Sequence, residues 1–126
     1  MKRLLILSVL CIALGACRES LEERASRETK TYTEKNCPQQ LDEKTRLDSV
    51  TFDTGSHTFV NYYTLDYEFS EAEKVTFKSN LLKDLAGDTR QQVYKDAGYS
   101  YRYVYRSKAD PKTVVFDATF TKSDYK

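Results

Sequence analysis

The sequence predicts an α+β fold: an antiparallel four-stranded sheet in ββαββ order with one helix packed on one face. Three observations predict it. Residues 50–69 and 99–120 each alternate apolar and polar side chains with the period of two that a half-buried strand requires, and each run is broken once by a turn or loop. Between the two runs, a single capped segment carries apolar residues at helical spacing.

The elements follow in chain order. Lys2 and Arg3 open a positive region, and Leu4 to Leu14 is an apolar run too short to span a bilayer, so the first 16 residues read as a secretory signal. The run ends in Leu14-Gly15-Ala16-Cys17, the lipobox pattern of a branched apolar residue and two small ones before a cysteine. Cys17 is therefore the expected acylation site, whereas Cys11, preceded by Val9 and Leu10, fails the small-residue requirement. Several buried acyl chains, at about 0.8 kcal/mol per CH₂, make a firm membrane anchor. Arg18 rather than an aspartate follows the cysteine, which favours the outer over the inner membrane. Removing 16 of the 126 residues leaves 110, enough for one domain.

Residues 17–36 read as the acylated N-terminus and a tether, because residues 18–36 offer only Leu21, Ala25 and Tyr32 as apolar or aromatic groups. Extended, such a tether would reach about 60 Å. A short solvated helix over 20–28 is the alternative, since Glu and Arg could pair there at helical spacing.

Residues 37–126 form the expected domain. Val50 and Phe52 begin a hairpin that turns at Asp53-Thr54-Gly55-Ser56. Its second strand places Phe59, Tyr63, Leu65, Tyr67 and Phe69 on a buried face, and Val60, Tyr62, Thr64, Asp66 and Glu68 opposite. Ser70 and Glu73 form a capping box for a helix whose stripe is Val75, Phe77, Leu81, Leu82 and Leu85, ending near Gly87 and Asp88. A helical remnant through Val93 and Tyr94 leads to Ala97-Gly98. In the second hairpin, Tyr99, Tyr101, Tyr103 and Tyr105 should share a face with Val114, Phe116, Ala118 and Phe120. That face is the expected core under the helix. The strand order is left open by these patterns.

Asn36-Cys37-Pro38, Asp42-Glu43-Lys44-Thr45-Arg46-Leu47-Asp48-Ser49, Tyr62-Tyr63-Thr64-Leu65 and Gly98-Tyr99-Ser100-Tyr101-Arg102-Tyr103 together resemble a family of small exported and lipoprotein domains of Gram-negative bacteria. The resemblance covers most of residues 36–125. It implies export and a single domain, and no catalytic residues.

Composition and motifs narrow the function classes. Of 20 Lys and Arg, Lys2 and Arg3 leave with the signal, so 18 basic residues face 19 acidic ones, without the basic excess that nucleic-acid binding requires. Cys37 and His57 are formally a nucleophile and base, but no third residue is suggested to orient the histidine, and the bland reading of each dominates. No metal site is expected, since Asp42, Glu43 and Asp48 lack a glycine-containing oxygen-ligand loop. No cofactor is implied. On the face opposite the tyrosine ladder, Arg102 and Arg106 could meet Asp66, Glu68 or Asp117 as cross-strand pairs. Tyr62 and Val104 on that face have no such partner, so Tyr62, Arg102, Val104 and Arg106 are the expected contact surface. The favoured reading is a membrane-anchored, non-enzymatic module that binds an envelope protein as inhibitor, immunity protein or accessory subunit. The alternatives are a small envelope enzyme using Cys37 and His57, and a purely structural lipoprotein.

Overall fold

A computed structural model describes residues 19–126. The signal segment 1–16 and Cys17 lie outside the described residues.

The segment read as a tether is a helix. Helix α1 spans Leu21–Asn36, opened by Ser20, whose hydroxyl accepts the Glu23 amide at 3.0 Å, with Glu22 and Glu23 in the first turn and Lys35 in the last. What makes it fold is a narrow stripe of small and apolar residues rather than a wide hydrophobic face. Leu21, Ala25 and Thr29 recur every four residues, and Ala25 is fully buried against the sheet. The folded domain therefore begins before residue 37.

After the two-residue strand β1 (Gln39–Gln40) come β2 (Thr45–Asp53) and β3 (Thr58–Leu65), an antiparallel hairpin as expected. Helix α2 (Glu71–Gly87) carries the predicted capping box of Ser70 and Glu73. A 3₁₀ turn (Thr89–Gln91) and α3 (Gln92–Asp96) lead to the second antiparallel hairpin, β4 (Ser100–Ser107) with β5 (Val114–Phe120). Helix α4 (Lys122–Tyr125) closes the chain.

The sheet is five-stranded and mixed, in the order β1-β2-β3-β4-β5, and the expected antiparallel four-stranded sheet with one helix is incorrect. The two hairpins join through β3 and β4, which run parallel from Thr58 opposite Ser100 to Leu65 opposite Ser107. The reason is length. The 17 residues of α2 cover about 25 Å at 1.5 Å per residue, close to the roughly 26 Å of an eight-residue strand. The helix thus returns the chain to the end where β3 began, and a returned chain pairs in parallel.

Two irregularities also shift predicted faces. The register slips between Tyr105 and Arg106, so Val114 pairs with Arg106 and lies exposed, while Phe116, Ala118 and Phe120 keep the buried face. Strand β3 stops at Leu65, which leaves Tyr67 outside the sheet and partly exposed. Val75, counted in the stripe of α2, is 72% exposed. The core is the aromatic side of the sheet: Phe77 meets Tyr105 and Phe116 edge-on at 5.0 Å each, and Tyr63 stacks on Tyr105 at 4.2 Å.

Candidate functional site

Helices α1 and α2 pack on the same side of the sheet but over different strands, and between them lies a cleft of about 1080 Å³. Its floor is the middle of the sheet, with Leu47 and Val50 of β2, Tyr63 of β3 and Tyr103 of β4. Glu28, Thr29 and Tyr32 of α1 form one wall. The end of α2 and the following turn, from Leu81 to Tyr94, form the other.

The walls are braced by charge. Glu28 accepts hydrogen bonds from the Tyr94 hydroxyl at 2.5 Å and from Arg24 at 2.6 Å. Desolvation alone would raise the Glu28 carboxyl, but these two donors outweigh it and hold the group below its usual range. Asp88 accepts both Arg90 side-chain donors, at 3.0 and 3.2 Å, and Arg90 lowers its carboxyl likewise.

The floor is chemically quiet. Burial pushes the Tyr63 phenol up to about 12, and burial also raises Tyr94, Tyr101, Tyr103 and Tyr105. Tyr63 and its neighbours stay protonated at neutral pH. They offer aromatic surface and hydroxyl donors rather than phenolate nucleophiles.

The opposite face of the sheet carries no helix among the described residues, and it brings the predicted contact residues together. Tyr62 pairs with Val104, and Arg106 pairs with Thr64 across the parallel junction. Arg102 is committed to Asp117 through bonds of 3.0 and 2.6 Å, one of the partners expected for it, while Asp66 and Glu68 lie past the end of β3. Val104 is only 2% exposed, so it lies beneath its neighbours and offers no contact surface. Beside this group Asp48 accepts from Arg46 and Thr64, each at 2.6 Å.

Cys37 and His57 are not brought together. The His57 ring stacks on Tyr99 at 4.9 Å and its Nε2 lies 2.8 Å from Glu22, in the first turn of α1. Cys37 follows the last turn of the same helix, about 22 Å further on at the helical rise of 1.5 Å per residue. Burial raises its thiol above the ordinary value, opposite to the shift a nucleophile needs. Among the described residues no group of three or more His, Cys, Asp or Glu is placed to hold a metal ion.

The sequence reading favoured a tether over residues 17–36 and kept only a short solvated helix over 20–28 as the alternative, so it did not place a wall of the cleft on α1. The signal that could have found it is the four-residue spacing of Leu21, Ala25 and Thr29, continued by Tyr32 three residues on.

Comparison with known proteins adds a family and a fold. Residues 20–116 match the family described as "Domain of unknown function (DUF8479)". No curated protein matches the sequence. Three solved structures share the fold. A candidate secreted protein from Pseudomonas aeruginosa is 15% identical, with a TM-score of 0.64 over 85% of this chain and 98% of that one. The pilotin EpsS of the Vibrio vulnificus type 2 secretion system is 14% identical, with a TM-score of 0.64 over 84% of this chain and 92% of that one. The type II secretion system pilotin AspS of Vibrio cholerae is 15% identical, with a TM-score of 0.63 over 89% and 98%.

Proposed function

This chain belongs to the DUF8479 family, and we propose that it is a non-enzymatic accessory module of the bacterial envelope, anchored through acylated Cys17, that holds a segment of a partner protein. The observation that carries the reading is the cleft between α1 and α2, whose floor is aromatic and whose walls are braced by ion pairs. Half-buried tyrosines between mixed charges suit an amphipathic peptide segment: its apolar side chains would lie on Tyr63 and Tyr103 and its polar groups at the rim. The shared fold of two type II secretion pilotins supports a protein partner within an envelope assembly. Outer-membrane residence is part of the proposal, resting on Arg18 after the acylated cysteine.

A second surface is kept because no described helix covers it. Tyr62 and Arg106, with the Arg102–Asp117 pair beside them, would make a flatter contact on the open sheet face. Photo-crosslinking residues placed singly at Tyr32 and at Tyr62 in the anchored protein distinguish the two. The expected result is a crosslink from position 32 that maps to one partner segment. A crosslink from position 62 alone would move the site to the open face. Silence at both positions would favour a structural lipoprotein.

A further inference from the structure

We infer that the folded domain sits directly on the bilayer with one fixed end down: the end formed by the start of α1 and the β2–β3 turn lies against the phospholipid headgroups. The inference rests on the proposed acylation of Cys17 and goes beyond it, because a lipid anchor by itself leaves distance and orientation free.

Chain length sets the distance. The chain is bound to the body from Glu19 onward, since Arg27 holds the Glu19 carboxylate at 2.7 and 3.1 Å and Ser20 caps α1. Only Arg18 stands between Glu19 and Cys17, so the acylated residue lies within about 7 Å of the fold at the maximum reach per residue. The 60 Å tether that the composition suggested does not exist.

Rigidity sets the orientation. Helix α1 is fastened along its length: Glu22 to His57 at its start, Glu28 to Tyr94 in its middle, and Thr33 to both backbone groups of Val50 near its end. The His57 carbonyl accepts the Ser100 amide at 2.9 Å, so the first turn of α1, the β2–β3 turn and the start of β4 form one end of the molecule. The loop from Ser107 to Thr113 lies at the other, roughly 26 Å away along an eight-residue strand.

Charge adds to the contact without replacing the anchor. Glu19, Glu22 and Asp53 at the anchored end are already held by Arg27, His57 and Ser56, while Lys122, which reaches Gly98 and the Asp96 carbonyl just before the start of β4, and the nearby Lys126 place positive charge there. The acyl chains do the holding, and the two lysines face the phosphate groups of the headgroups. The α1 wall of the cleft, Glu28, Thr29 and Tyr32, then begins roughly 10 Å along the helix from the anchored end, which places the partner segment it holds within a short distance of the membrane.

The test uses the full acylated protein, with Cys37→Ala, bound to phosphatidylethanolamine vesicles that contain a nitroxide headgroup lipid. A fluorophore is attached through Gly55→Cys in the β2–β3 turn or through Lys112→Cys at the far end. The expected result is several-fold stronger quenching at position 55 than at 112. Inserting a flexible Gly/Ser linker of about 20 residues between Arg18 and Glu19 should abolish that difference. Equal quenching at the two positions without the linker, on vesicle-bound protein, would overturn the orientation and leave the anchor standing. Protein remaining in the supernatant after the vesicles are pelleted would overturn both.

Discussion

Tyr94 is 3% exposed, yet its hydroxyl reaches across the cleft wall to Glu28 at 2.5 Å, joining α3 to α1. The carboxyl of Glu28 is held below its ordinary value of 4.5 because the bonds from Tyr94 and Arg24 outweigh desolvation. A group whose folded pKa is lowered stabilises the fold fully above its unfolded value and loses that contribution as pH falls through the folded one. Tyr94→Phe should therefore cost about 1 kcal/mol at neutral pH, toward the low end for a bond to a charged acceptor because Glu28 is partly solvated. The gap between variant and wild type should close in acid, as protonation weakens the same bond in the parent. Urea midpoints at pH 7 and pH 3 measure both effects, and a gap that stays constant with pH would show that the hydroxyl contributes through packing alone. The same scale shows how far a sequence can see into the site. Alternation placed Tyr62, Arg102, Val104 and Arg106 on one face, and the register places them side by side. The burial of Val104 was not legible, because it depends on which long side chains fold over it, and no spacing rule encodes that.

Secondary structure elements are secured at their ends and edges by single polar side chains. Strand β2 is flanked by β1 only at Leu47 and Arg46, so further along its outer edge is open to α1. There the Thr33 hydroxyl donates to the Val50 carbonyl at 2.8 Å and accepts the Val50 amide at 2.9 Å, replacing a missing strand with one side chain. Thr33→Val keeps the shape and removes both bonds, so it should destabilise by about 1 to 3 kcal/mol through the two unpaired backbone groups. Hydrogen exchange should show the Val50 amide losing protection well before its neighbours in β3. A variant with unchanged midpoint and unchanged exchange would mean that water replaces the hydroxyl at no cost. Lys95 plays the matching part at the C-terminus of α2. Its ammonium is buried and donates to the Leu85 carbonyl at 2.8 Å and the Ala86 carbonyl at 3.1 Å, satisfying groups the helix leaves unpaired. Lys95→Met should cost a similar amount, read as a lowered urea midpoint with the slope unchanged. The capping box of α2 was legible because its partners stand three residues apart. The Thr33 and Lys95 bonds were not, because Thr33 reaches 17 residues along the chain and Lys95 reaches a carbonyl rather than a charge.

At the scale of the molecule, both hairpins could be read because each turns within a few residues, whereas the parallel junction of β3 with β4 is specified only by where α2 delivers the chain. The least legible part was the one that closes the fold. Residues 18–36 have the composition of a solvated linker, yet α1 lies over Val50 and lets Ala25 and Thr29 approach the sheet because both are small. Without α1 the cleft would have one wall, and Leu47, Val50 and Phe59 would be left as an apolar strip in water. Removing that strip from water contributes on the order of 25 cal/mol per Å², so its exposure threatens a domain whose net stability is only about 5 to 15 kcal/mol. A chain of residues 37–126 should therefore lack a cooperative urea transition and bind a hydrophobic dye, while residues 19–126 should unfold in one sharp transition and bind none. If 37–126 unfolded as sharply as the longer chain, α1 would be an appendage laid on a complete domain, and the cleft would lose its claim to be a built site. If instead 37–126 regained its transition when the separate peptide 19–36 was added, α1 would be shown to complete the core, and the cleft it walls would stand as part of the native architecture.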